Sequence, residues 1–174
     1  METMKDNLES LNKLLDMNIG VLLYGKTSKC IDLVCNYAES HKQEMTMIQG
    51  GIRDRINDLL GFTTMDGKYV ASPLTDAAEN GKILLITDVE ESNQNLLTEL
   101  HYVLDFRTYK KGLVIRDKYE PLRLDPTIRV CDQNYLVGMS KPMPVNKNFK
   151  MIFASKISEI PDKNLSDRLY VLKV

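Results

Sequence analysis

Two short stretches of the chain carry residues whose types and spacing suit the binding of phosphate and of a metal ion. The first, GVLLYGKT at residues 20–27, satisfies the phosphate-loop pattern G-x-x-x-x-G-K-[ST] letter for letter. That pattern binds phosphate because its four variable residues form a loop whose backbone N–H groups surround the anion. Here the four variable residues are aliphatic or aromatic and are typical of a buried strand: Val21, Leu22, Leu23 and Tyr24. At this register the pattern is therefore present without its loop.

The residues after this strand are themselves candidates for an anion site. They connect the strand to a predicted helix and comprise Gly25, Lys26, Thr27, Ser28 and Lys29. A glycine, two lysines and two hydroxyl groups at a strand-to-helix turn suit an anion held at the helix N-terminus. The structural alternative is a solvated turn.

The second stretch is ILLIT at residues 83–87, which is followed by Asp88. Ligands of open α/β sheets bind at the carboxyl ends of the strands, where a lone acid is placed to hold Mg²⁺ through water. Asp88 is therefore a candidate metal-binding and nucleotide-binding residue. The structural alternative is a helix cap.

Strands and helices are predicted to alternate along the chain. The predicted strands are VLLY, MTMI, ILLIT, MIFA and LYVLKV. Three of them are continuously apolar, which is typical of strands covered on both faces in a parallel sheet. A helix is predicted between two of these strands: Ser72 suits its N-cap, Pro73 its first position and Gly81 its end. We therefore predict an α/β fold, a three-layer αβα sandwich around a mainly parallel five-stranded sheet.

The segment at about 107–148 is predicted to be an insertion or hairpin within one domain of residues 1–174. The pieces GLVIR and NYLVGM within it have the composition of strands. Between positions 107 and 123 basic residues outnumber acidic ones, so contact with a phosphate backbone is one hypothesis. A solvated hairpin is the favoured interpretation, because the segment lacks an array of aromatic residues for base stacking.

The composition is that of a globular protein without a strong affinity for membranes or nucleic acid. The chain has 174 residues, 43% of them hydrophobic, and a net charge of −1. No apolar run approaches the roughly 18 residues that span a bilayer. The three cysteines lack C-x-x-C spacing, which favours reduced packing residues and an intracellular, cytoplasmic location.

Several stretches, in order, resemble one family. Residues 69–107, YVASPLTDAAENGKILLITDVEESNQNLLTELHYVLDFR, resemble the middle of dynein-related, MoxR-like AAA+ ATPase domains, where a G-x-L-x-x-A-x-x-x-G helix precedes the Walker B strand. Three further stretches resemble other parts of that domain. INDLLGF resembles its D-L-L-G segment, NFKMIFASK its sensor-1 strand, and NLSDRLYVLKV its closing strand. The resemblance runs from about Ile19 to Val174. It implies a P-loop NTPase fold with the strands in the spatial order fifth, first, fourth, third, second, and ATP with Mg²⁺ as cofactors.

The chain departs from this family in its first motif. The family has a six-residue glycine-rich loop before its lysine and Ser/Thr. Counted from Gly25, these two positions fall on Ile31 and Asp32, and with two residues deleted they fall on Lys29 and Cys30. In the literal match no loop follows the strand at all, so none of the three alignments provides a phosphate cradle.

Two further catalytic positions differ. The family has Asp-Glu at the Walker B strand, whereas this chain has Asp88-Val89, and valine cannot polarise the attacking water. Glu90 and Glu91 follow, and we expect their side chains to point elsewhere because they are displaced from the strand end. The sensor-1 asparagine position falls on Lys156.

The resemblance also bears on assembly. In the family, an arginine before the final strand reaches the neighbouring subunit's γ-phosphate, and the matching residue is Arg168, with Leu169 in place of phenylalanine. We expect no helical lid after Val174, and hence a module without a motor cycle. We therefore predict a degenerate AAA+ module that does not hydrolyse ATP and serves as a structural or regulatory subunit, through protein partners or self-association. The alternatives are a divergent ATPase that works as an oligomer and a nucleic-acid-binding module.

Overall fold

The molecule is organised around strands that the computed structural model places in three sheets. The structure describes residues 4–17, 19–51, 62–66, 69–94, 97, 100, 127–131, 140–144 and 146–174. The strands are β1 (Gly20–Tyr24), β2 (Met45–Gln49), β3 (Phe62–Thr63), β4 (Tyr69–Val70), β5 (Ile83–Thr87), β6 (Thr127–Cys131), β7 (Ser140–Pro144), β8 (Lys150–Ser155) and β9 (Leu169–Lys173).

Five of these strands form the central sheet in the order β2-β5-β8-β1-β9. Every neighbouring pair is parallel, and Val21 lies beside Ile152 on one side and Tyr170 on the other. This order confirms the one that the family resemblance implied. All five residues of β5 are buried, because the strand lies inside the sheet and is covered on both faces.

The helices cover both faces of the central sheet. They are α1 (Met4–Asp16), α2 (Thr27–His41), α3 (Pro73–Asn80) and α4 (Lys163–Ser166), and a short 3₁₀ helix spans Val89–Glu91. On one face, α1 and α2 pack with Val21, Leu23 and Leu85. On the other, α3 and α4 pack with Leu22 and Phe153, because successive residues of a strand face opposite sides. The predicted three-layer sandwich is confirmed.

The start and end of α3 agree with the sequence pattern. The Ser72 side chain accepts a hydrogen bond from the backbone N–H of Thr75 at 3.1 Å, and the Ser72 N–H donates to the Thr75 hydroxyl at 2.8 Å. Pro73 is the first helical residue, and Gly81 ends the helix with φ 71°. This helix fixes the start of β5, whose carboxyl end carries Asp88.

The start of α2 differs from the sequence prediction, and several other predicted segments lie outside the described residues. Helix α2 begins at Thr27, so the prediction that residues 25–29 form a turn is wrong for the last three residues. Strands β6 and β7 pair with each other in antiparallel fashion inside the segment predicted as an insertion. The predicted strands GLVIR and NYLVGM and the basic stretch 107–123 lie outside the described residues. In the described part of the chain, no helix combines the length and apolar content that a bilayer crossing requires.

Candidate functional site

The connection between β1 and α2 contains two residues. Strand β1 ends at Tyr24, Gly25 and Lys26 follow, and α2 begins at Thr27. The N–H of Gly25 donates to the carbonyl of Ser155 at 3.0 Å, and the N–H of Val174 donates to the carbonyl of Tyr24 at 2.8 Å. A Cβ atom on Gly25 would collide with the Val174 carbonyl oxygen. The backbone of the two neighbouring strands therefore packs tightly where the connection begins.

The candidate anion-binding residues are distributed over this connection and the first turn of α2. Lys26 is the N-cap residue and makes no side-chain cap hydrogen bond, while Thr27, Ser28 and Lys29 are already helical. Lys26, Ser28 and Lys29 are exposed. Residues 30–32 lie deeper in α2, so the two shifted alignments place their lysine and hydroxyl positions on a helix. Burial raises the pKa of the Cys30 thiol to about 11, which leaves it protonated at neutral pH.

Asp88 lies at the carboxyl end of β5 and is the centre of a polar cluster. It has left-handed backbone angles (φ 48°, ψ 42°), and it is 7% exposed. Its Oδ1 atom is 2.8 Å from Lys156 Nζ and 3.4 Å from the Thr27 hydroxyl, a long O–H···O contact. Its Oδ2 atom accepts from Gln49 Nε2 at 3.2 Å. The ends of β2, β5 and β8 and the first residue of α2 thus meet around one buried carboxylate.

Lys156 joins the ends of β5 and β8. Its ammonium pairs with Asp88, and its backbone N–H donates to Glu90 Oε1 at 3.1 Å. The hydrogen bond and charge of Asp88 raise the pKa of the Lys156 ammonium, with smaller contributions from Glu90 and Glu91. The lysine is therefore charged at neutral pH. The Glu90 side chain is directed to the backbone at the end of β8.

Val89 follows Asp88 but its side chain faces the interior. It is fully buried in the same apolar cluster as Leu97 and Phe153. The left-handed conformation of Asp88 turns the chain into the 3₁₀ helix at this point. The position that carries glutamate in the resembled motif is thus a core position in this chain.

The order of the strands is that of a P-loop NTPase core, and a comparison of the sequence with protein families shows to which family the chain belongs. The model of the family described as AAA domain (dynein-related subfamily) matches residues 20–170. The chain belongs to this family. No curated protein matches the chain closely enough to count as a relative.

The cofactor that an AAA domain implies is ATP with Mg²⁺, and the observed residues do not fit it. Phosphate loops of this fold wrap the anion with a run of backbone N–H groups, whereas two residues separate β1 from α2 here. Mg²⁺ in P-loop NTPases is held by the loop Ser/Thr and the Walker B Asp. Thr27 and Asp88 do lie together, but the Lys156 ammonium already contacts the carboxylate oxygen that Thr27 contacts.

Gln49 was missed by the sequence analysis, and Glu90 was set aside. A polar residue that ends a strand of a parallel sheet is the signal that points to Gln49, since the carboxyl ends of all strands share one edge.

Arg168 lies just before β9 and donates from Nη1 to the Asn164 carbonyl at 2.6 Å. This hydrogen bond joins the Arg168 side chain to the short helix α4.

The opposite edge of the sheet carries a polar cavity of about 820 Å³. Two of its lysines make contacts within the fold: Lys82 pairs with Glu44 and Asp76 at 3.0 Å each, and Lys150 donates to the Leu15 carbonyl at 2.8 Å. Cations near the C-terminal carbonyls of a helix stabilise it. These contacts account for Lys82 and Lys150 without a ligand.

Proposed function

We propose that this chain is a non-hydrolysing AAA+ module of the cytoplasm that acts as a structural or regulatory subunit of a protein assembly. The observation that carries the proposal is the occupation of the Asp88 carboxylate by Lys156, at 2.8 Å, beside a two-residue β1–α2 connection. ATP hydrolysis by this fold needs a phosphate clamp, a metal and a water-orienting group together. In this chain all three positions carry other residues or other contacts.

The position of Val89 gives independent support. A glutamate polarises water only if its carboxylate reaches the reacting centre. The Val89 side chain is directed into the core, and Glu90 Oε1 accepts a hydrogen bond from the Lys156 backbone N–H. Loss of hydrolysis in this chain therefore does not depend on a single substitution.

Association with other proteins is part of the proposal. Arg168 precedes an edge strand of the central sheet, and the exposed side chains of β9 include Tyr170 and Val171. An arginine at a subunit border stabilises charge on a transferring phosphoryl group that belongs to the neighbour. Such a residue stays useful in a subunit that lacks hydrolysis of its own. We propose that the neighbour is an active ATPase or a second copy of this chain.

Nucleotide titration tests the proposal. Calorimetry with Mg·ATP and with Mg·ADP is expected to give weak heats or none, and turnover of ATP is expected to remain at background. Asp88→Ala is the control, since its turnover should equal that of the wild type. Steady wild-type turnover that is lost in Asp88→Ala would contradict the proposal and support a divergent ATPase. Salt-dependent binding of nucleic acid would instead support the nucleic-acid-binding alternative.

A further inference from the structure

We infer that the Lys156 ammonium group is the resident cation of Asp88, so that a charge from the chain itself, and not a divalent metal ion, completes this edge of the sheet. The inference rests on the proposed function, because it assigns a role to the same carboxylate that an active AAA domain would use for Mg²⁺.

The geometry supports this role. The Thr27 hydroxyl and the Lys156 ammonium contact the same oxygen, Asp88 Oδ1. A Ser/Thr hydroxyl and the Walker B Asp are the protein ligands of Mg²⁺ in P-loop NTPases. The Lys156–Asp88 distance of 2.8 Å is that of a charge-assisted hydrogen bond. A cation thus stands beside the two groups that would otherwise hold the metal.

The charge balance of the cluster also requires a cation. Asp88 is 7% exposed, and Glu90 lies close enough to accept a hydrogen bond from the Lys156 backbone. In the described part of the chain, the other Glu90 oxygen, Oε2, is buried without a hydrogen-bond partner. Carboxylates that are removed from water need a paired charge or a metal. The Lys156 side chain is 59% exposed, and its ammonium contacts the buried acid.

The protein supplies few other ligands for a metal. Among the described residues, no group of three or more His, Cys, Asp or Glu side chains is arranged to hold a metal ion. A divalent ion at Asp88 would therefore depend on the carboxylate, on nearby oxygens and on water. The ammonium needs no such shell, since it donates up to three hydrogen bonds from a single atom.

Thermal unfolding of wild type and three variants, each in a chelator and in millimolar Mg²⁺ or Mn²⁺, tests the inference. Lys156→Met keeps the length of the side chain and removes its charge, so it should melt about 2–4 °C lower in chelator. Added Mg²⁺ or Mn²⁺ should recover most of that loss, because the ion takes the place of the ammonium. The wild type and Lys156→Arg, which both retain a cation, should show no comparable gain.

The double variant Asp88→Asn with Lys156→Met removes both charges. It should melt higher than Lys156→Met in chelator and should not respond to the metal ion. The inference is overturned if the wild type gains as much from the ion as Lys156→Met does, or if Lys156→Met melts like the wild type and ignores the ion.

Should Lys156→Met fail to fold, the double variant decides. A folded double variant supports the inference, because the defect then comes from an unpaired Asp88. An unfolded one overturns it, because Lys156 is then needed for another reason. All of these measurements omit nucleotide, so Mg·ATP turnover by the wild type would contradict the proposed function through a separate result.

Discussion

Val89 occupies the position at which the Walker B motif of the resembled AAA domains carries a glutamate. Because the side chain is fully buried in the core, Val89→Glu places a carboxylate among apolar groups. We expect the variant to lose about 3–5 kcal/mol of unfolding free energy, the cost of an uncompensated buried charge. We also expect no ATP turnover, since the phosphate connection is unchanged. Urea unfolding and a coupled ATPase assay measure the two effects.

Val89→Met is the matched control, because methionine resembles glutamate in size but carries no charge. Its cost should be the smaller one of overpacking, about 1–3 kcal/mol. If Val89→Glu proved as stable as Val89→Met, the side chain at this position would not be confined to the core. ATP turnover by Val89→Glu would show that this glutamate was the missing element.

Asp88 and Lys156 show how far single residues are predictable from the sequence. The place of Asp88 after an apolar strand and the match of Lys156 to the sensor-1 position make both residues site candidates. Their pairing is not predictable, since it joins residues far apart in the chain. The burial of Val89 depends on the left-handed backbone of Asp88, which no local pattern specifies. Strand ends are thus readable from sequence, whereas the direction of the next side chain is not.

Helix α3 is the element whose boundaries depend most clearly on local sequence chemistry. Ser72 and Thr75 form a reciprocal pair of hydrogen bonds between side chain and backbone, and both residues are buried. Ser72→Ala is expected to cost about 1–2 kcal/mol, because the Thr75 N–H loses its acceptor away from water. Chemical denaturation measures this loss. Ser158→Ala, at an exposed serine, is the control, and an equally small effect of the two changes would contradict a capping role for Ser72.

The central sheet was predictable because its strands are continuous apolar runs, but the small sheet of β6 and β7 was not. Strand β7, Ser140–Pro144, contains Pro142 and Pro144, and proline is uncommon in strands because it cannot donate to the ladder. In a two-stranded sheet each strand has an open edge, so such prolines are tolerated. The pairing of Arg129 with Pro142 therefore does not follow from strand propensity.

At the scale of the whole molecule, the parallel central sheet brings the carboxyl ends of its five strands to one edge, and that edge carries both the cluster around Asp88 and the start of α2. The family match over residues 20–170 accounts for this arrangement. The same arrangement of strands is compatible with an active or an inactive domain. Fold thus follows from the pattern of strands, while activity depends on a few side-chain contacts within it.

The last prediction concerns the assembly and Arg168. The side chain is half-buried and donates to the Asn164 carbonyl at 2.6 Å, which ties it to the helix before β9. Because this is a hydrogen bond near the surface, Arg168→Ala should lower the unfolding free energy by only about 0.5–1.5 kcal/mol. If Arg168 serves a neighbouring subunit, the same change should reduce the assembled fraction in sedimentation or the ATP turnover of an active partner. Lys163→Ala, at an exposed cation of the same helix, is the control for a general loss of charge. An Arg168→Ala variant that folds, assembles and supports turnover like the wild type would restrict Arg168 to a surface role and place the interface elsewhere.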